Sequence, residues 1–76
     1  MLKIGDHVVF VDSRGIEHDA LTTAVWSETC VNLVYVSLEP NERDDYGNQI
    51  KRETSVVNAS LQSAPGNYWK ASSIHV

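Results

Sequence analysis

Apolar and polar residues alternate along four stretches of this chain, with the period of two that belongs to half-buried strands. In residues 4–12, Val8 and Phe10 fall on one face and His7, Val9 and Val11 on the other. In residues 19–27, Leu21, Thr23 and Val25 share a face, with Ala20, Thr22, Ala24 and Trp26 opposite. Thr22-Thr23 and Val25-Trp26 argue against a helix there, because β-branched and aromatic side chains fit a pleated surface better. Residues 31–38 set Val31, Leu33, Tyr35 and Ser37 against Asn32, Val34, Val36 and Leu38. Both sets are largely apolar, which predicts a central strand or one covered on both sides. Residues 50–57 form a fourth strand whose alternation is weak at first and firm from Thr54. Tyr68 and Trp69 predict a short last strand, and Ile74 and Val76 could pair with another.

The connections carry turn chemistry. Asp12-Ser13-Arg14-Gly15 is a tight turn, since Asp bonds its own backbone two residues on and Gly tolerates the left-handed conformation. Ser27 to Cys30 is the next connection. Residues 39–49 are a long polar hairpin loop, bounded by Pro40-Asn41 and by Tyr46-Gly47-Asn48. A loop of that length is either mobile and solvated, or a lid or an arm onto a partner subunit. Asn58 to Ser63 reads as a loop or short helical turn, and Ala64-Pro65-Gly66-Asn67 as a type II turn. The expected fold is all-β: a small SH3-like barrel of four to five antiparallel strands with one long polar hairpin loop. It occupies residues 1–76 as a single domain. An open meander completed by a second subunit is the alternative.

At 76 residues the chain is near the lower limit for a self-sufficient core and buries only ~60% of its unfolded surface. With Cys30 alone no disulfide can help, and no Cys/His zinc spacing exists. Good barrel closure and self-association are the remaining aids, so a homo-oligomer is expected. The single cysteine, the lack of a long apolar run and the polar start of the chain predict a cytoplasmic protein with no membrane span. The net charge is −4, and residues 39–45 account for −3 of it through Glu39, Glu42, Asp44 and Asp45 against Arg43. The near-neutral remainder offers no basic face, which excludes nonspecific nucleic-acid binding. The acidic cluster does not match calcium-loop spacing.

Four blocks carry a likeness: Gly15 to Trp26, Val31-Asn32-Leu33-Val34, Thr54-Ser55-Val56 and Asn67-Tyr68-Trp69. Together they resemble a group of short phage and prophage proteins with the same order of blocks. The resemblance covers most of the chain and implies a viral origin, acting in the host cytoplasm. Small phage proteins of this kind are commonly inhibitors of host defence, some of which sequester cyclic-nucleotide signals, or virion accessory parts. That step is one of analogy, since a fold does not fix a function.

The expected function is therefore a phage-encoded anti-defence sponge that binds a small, cyclic nucleotide signal without cleaving it. Such a site needs aromatic surface for a base, cations for phosphate and short polar groups for ribose. Trp26, Tyr35, Tyr68 and Trp69 offer the aromatic surface. Arg14, Lys51 and Arg52 offer charge, and Arg52 is taken into the expected site. Asn32, Thr54, Ser55 and Asn67 offer hydrogen bonds, and His18 a pocket donor. The alternative is a protein-interaction or virion accessory module that docks through the acidic loop and a sheet edge. An enzyme is the weakest reading. His18-Asp19 resembles the metal-binding pair of phosphohydrolases, but that family sets its ligands on several helices. Cys30 lacks the neighbours that activate a thiol. No catalytic residue, metal or cofactor is expected.

Overall fold

The computed structural model describes residues 2–61 and 67–72. Five strands are present: β1 (His7–Val11), β2 (Glu17–Val25), β3 (Cys30–Val36), β4 (Ile50–Asn58) and β5 (Tyr68–Ala71), with a 3-10 turn over Ala59–Leu61. They close into a barrel in the order β1-β2-β3-β4-β5. The chain is an all-β, small SH3-like barrel. One detail of the expectation is corrected: the barrel is mixed, because β5 runs antiparallel to β1 and parallel to β4. The reason is parity. A ring of five strands in which every other neighbour is antiparallel must contain one parallel pair. Residues 64–66 of the turn expected over 64–67, and the tail at Ile74 and Val76, lie outside the described residues.

The strand ends are set by local hydrogen bonds. β1 begins at His7 rather than at Ile4, because Lys3 to Asp6 forms a turn. The Asp6 N–H donates to the Lys3 carbonyl at 3.0 Å and Asp6 Oδ2 accepts the Lys3 N–H at 2.8 Å. β2 starts at Glu17, two residues earlier than the pattern suggested, because the β1–β2 turn is compact. Asp12 Oδ1 accepts the N–H groups of Arg14 (2.9 Å) and Ile16 (3.0 Å), and Gly15 takes φ +80°. β2 ends at Val25, so Trp26 belongs to the following turn, where its N–H donates to the Cys30 carbonyl at 3.0 Å.

The core is Val8, Phe10, Ala20, Val31, Leu33, Tyr35, Val56 and Trp69, with Leu2 and Val25 packed against it. β3 contributes the alternate set Val31, Leu33 and Tyr35, and Ser37 continues it inward. β3 is the central strand that was one of the two expectations, between β2 and β4, and the other one, cover on both sides, does not hold: Val36 and Leu38 are exposed and Asn32 and Val34 half-buried. A barrel has an inside and an outside, so one apolar set of this strand is left facing out.

The 37–49 connection is tied down through its own side chains. Asp44 Oδ1 accepts the N–H groups of Tyr46 and Asn48, both at 2.9 Å. The Arg43 guanidinium donates to the carbonyls of Pro40 (2.7 Å) and Gly47 (3.0 Å), and Ser37 Oγ donates to Glu42 at 2.9 Å.

Candidate functional site

The hairpin turn after β1 and the 37–49 connection meet at one end of the barrel and enclose a cavity of about 480 Å³. His18, Tyr35 and Asn67 line it, three of the residues expected at a binding site. His18 enters from β2 because it lies across from Phe10 in the hairpin register, and Tyr35 from β3 because it faces Ala20 and Lys51. The three rings form one packed run. The His18 centroid lies 4.6 Å from that of Tyr35 and 6.1 Å from that of Phe10, and Phe10 and Tyr35 are 4.8 Å apart.

His18 is held from its edge. Its Nε2 lies 2.8 Å from Asp12 Oδ2, and the two side chains are only 8% and 14% exposed. Burial pushes the Asp12 carboxyl up. The His18 hydrogen bond and the N–H groups of Ile16 and Arg14 outweigh that and hold it below its ordinary value. Asp12 is thus an anion at neutral pH that fixes both the turn and the imidazole. Burial, with the Glu53 charge adding to it, raises the Tyr35 phenol, which therefore stays neutral.

The cavity is more acidic than the sequence suggested. Asp12, Glu39, Glu42 and Glu53 line it against Arg14 and Lys51. Both cations are already engaged: Arg14 Nη1 lies 3.0 Å from Glu39 Oε1, and the Lys51 ammonium pairs with Glu42. The Glu42 hydrogen bond raises the Lys51 pKa. Sequence reasoning missed these carboxylates. A signal was present for one of them: Glu53 is two residues from Lys51, so both side chains share the inward face of β4.

The other expected residues fall elsewhere. Trp26, Asn32 and Ser55 form a second group toward the opposite end. Asn32 Oδ1 accepts both the Trp26 indole N–H at 2.8 Å and the Ser55 backbone N–H at 2.9 Å. This convergence comes from two register shifts. β2 gains a residue between Thr22 and Ala24, and β4 carries Thr54 and Ser55 opposite the single residue Asn32. Ser55 adopts φ +54° to make the bulge. Trp26 is left 65% exposed with its ring orientation fixed. Arg52 is exposed on the outer face of β4, across from Val34. Tyr68 is half-buried on β5, paired with Val11 and Val57. Trp69 is in the core, 6% exposed, and its indole N–H donates to the Thr29 carbonyl at 3.1 Å. It supports the barrel and presents no ring to solvent.

His18 and Asp19 point to opposite sides of β2. His18 faces the cavity, while Asp19 is 79% exposed on the outside, 2.9 Å from His7 Nε2. Neighbours on a strand diverge in this way, so the two cannot ligate one ion. Among the described residues no group of three or more His, Cys, Asp or Glu side chains could hold a metal. No helix among the described residues is long and apolar enough to cross a membrane. Comparison of the chain with protein-family models, with curated proteins and with solved structures gives no match.

Proposed function

We propose that this chain is a binding module that captures a small nucleotide at the barrel end and releases it unchanged. The observation that carries the reading is the roughly 480 Å³ cavity into which His18, Tyr35 and Asn67 converge. Its volume is that of a small-ligand site, about 300–1,000 Å³. Its charge sets the direction in which a nucleotide enters. Four carboxylates against two paired cations repel a phosphate from the interior. The same carboxylates accept hydrogen bonds from the amino and imino donors of a nucleobase. The base therefore lies inward against Tyr35 and His18, with its donor edge toward Glu53. The phosphate stays at the mouth near Arg14, whose side chain is largely solvent-accessible. The likeness to short phage proteins supplies the setting, in which removal of a nucleotide signal from the host cytoplasm blunts a defence response.

Calorimetry against a panel of cyclic and linear nucleotides, with their parent nucleosides, tests this. Nucleosides with exocyclic amines should keep most of the affinity of the nucleotides, and Glu53→Gln should weaken both. The ligand recovered after denaturation should have an unchanged mass. No binding across the panel would sink the reading, and a chemically altered ligand would replace it with an enzyme.

A second reading is docking on a host or phage protein. It rests on the acidic loop, whose Asp45 and Tyr46 are exposed, and on an edge. Among the described residues β4 meets β5 only through Val57↔Tyr68 and Asn58↔Trp69, so its Ile50–Val56 side has no strand partner there. Retrieval of one host protein by the wild type, lost when the loop acids are changed to amides, would favour it over ligand capture.

A further inference from the structure

On the outward side of β2, β3 and β4, six residues form two adjoining rows. One row is Leu21, Val34 and Arg52, fixed by the pairings Leu21↔Val34 and Val34↔Arg52. The next holds Asp19 on β2, two residues from Leu21, then Val36 and Ile50, which pair directly. All six point outward because Ala20, Tyr35 and Lys51 between them point to the core and the cavity. Leu21, Val34, Val36 and Ile50 line a shallow apolar groove of about 290 Å³, with His7 and Asp19 at its rim. Leu21, Val36 and Ile50 are large hydrophobic side chains left exposed. Contiguous exposed apolar surface of this kind marks an interaction site.

The corners of this grid identify the occupant. Leu21 and Ile50 stand at one pair of opposite corners, both apolar. Asp19 and Arg52 stand at the other pair, with opposite charges. Among the described residues Asp19 pairs its charge only with the His7 ring, and Arg52 makes no ion pair. A two-fold axis lying along the Leu21–Ile50 diagonal leaves the apolar residues against their own copies and exchanges the charged corners. Asp19 of each copy then meets Arg52 of the other, twice. A face that is self-complementary under a two-fold is what an isologous dimer requires.

We propose that the partner for this face is a second copy of the chain, docked about that diagonal. A domain of 76 residues gains from covering such a patch, because its own core is near the lower limit for independent stability. The groove and the cavity at the barrel end share only Tyr35 among their lining residues, so ligand capture and dimerisation are tested separately. Unrelated partners have no reason to match both the apolar diagonal and the crossed charges.

Sedimentation velocity on the full chain, from low micromolar to near millimolar concentration, tests the proposal. The wild type should shift from monomer to dimer. Asp19→Lys and Arg52→Glu should each weaken the dimer by more than about tenfold, since each sets two like-charge contacts at the interface. Mixing the two variants should restore it. The introduced lysine of one variant then faces the introduced glutamate of the other, and the native Asp19–Arg52 pair re-forms at the second contact. Val36→Lys should abolish the dimer without rescue by either. All three sites are exposed, and circular dichroism checks that each variant folds. A wild type monomeric at every concentration overturns the proposal. So does a dimer that survives both charge reversals, or variants that stay monomeric when mixed.

Discussion

The Asn32 side-chain oxygen accepts the Trp26 indole N–H and, at the same time, the backbone N–H of Ser55, so one amide joins a turn, the middle of β3 and the bulge of β4. Asn32→Ala removes the acceptor for both donors. The expected loss is about 1–2 kcal/mol in denaturant unfolding. Trp26 fluorescence should change with it, because the ring loses the bond that fixes its orientation. Asn32→Asp keeps the acceptor and should restore the wild-type emission. An unchanged emission in Asn32→Ala would show that the bond does not hold the ring.

Ser55 sits at φ +54°, a conformation that costs a non-glycine residue roughly 1–2 kcal/mol. Ser55→Gly is therefore expected to raise stability by up to about 1 kcal/mol, less whatever glycine adds to the unfolded chain's freedom. Ser55→Val should lower it, because a β-branched side chain tolerates that region poorly. Melting temperatures of the three proteins give the order directly. Ser55→Val matching the wild type would contradict it.

Thr22 is fully buried and satisfies two backbone groups of the N-terminal turn. Its hydroxyl donates to the Lys3 carbonyl and accepts the Asp6 N–H at 3.1 Å. Thr22→Val keeps the shape but leaves both groups without that partner. The expected cost is about 1–3 kcal/mol, and Thr22→Ser should recover most of it. Amide exchange at Asp6 should accelerate in the valine variant and not in the serine variant.

Acid should unfold this barrel through three carboxylates. Asp12 is held low despite its burial. Glu42 is lowered by Lys51 and Ser37, and Asp44 by the N–H groups of Asn48 and Tyr46. A carboxylate that titrates lower in the fold than in the unfolded chain binds more protons when unfolded. Its contribution is therefore complete above the unfolded pKa and disappears as pH falls through the folded one. Thermal stability should be flat near neutrality and decline below about pH 4. Asp12→Asn should flatten that decline. A melting temperature that holds down to about pH 2 would contradict the assignment.

Much of the architecture was legible in the alternation of side chains. Val8 and Phe10, Ala20 and Thr22, and Val31, Leu33 and Tyr35 are the inward sets of three strands, and each follows from a period of two. Pattern alone did not say which set faced in. For β3 it left open that both did, because Val34, Val36 and Leu38 are as apolar as the inward set. The two bulges were not legible either. They depend on how many residues of β2 and β4 oppose Asn32, a property of pairing and not of any one strand. That is why Trp26, Asn32 and Ser55 meet from three separate elements while Arg52, on the same outer face, sits apart from them opposite Val34. Trp69 was expected to offer its ring to a ligand, and the pattern gave no sign that it belongs to the core. Its place was settled by the inward pointing of its position on a four-residue strand and by the Thr29 carbonyl that receives its N–H. The 39–49 segment looked like a solvated loop, or a lid or arm, because its acids were read as charge. In the structure Asp44 and Glu42 work as hydrogen-bond acceptors that shape it.

Among the described residues the ladder between β4 and β5 has two residue pairs, the shortest in the ring, and the cavity is lined by Glu53 on one side of it and Asn67 on the other. A ring cut at its shortest ladder still keeps its remaining strands zipped, so this seam can part while the four-stranded meander and the β1–β5 pairing stay intact. Breathing there opens the wall of the chamber and not its floor. A guest that touches both Glu53 and Asn67 would act as a staple across the gap, and its arrival would register as slowed amide exchange at Val57 and Tyr68, remote from the rings that it rests on.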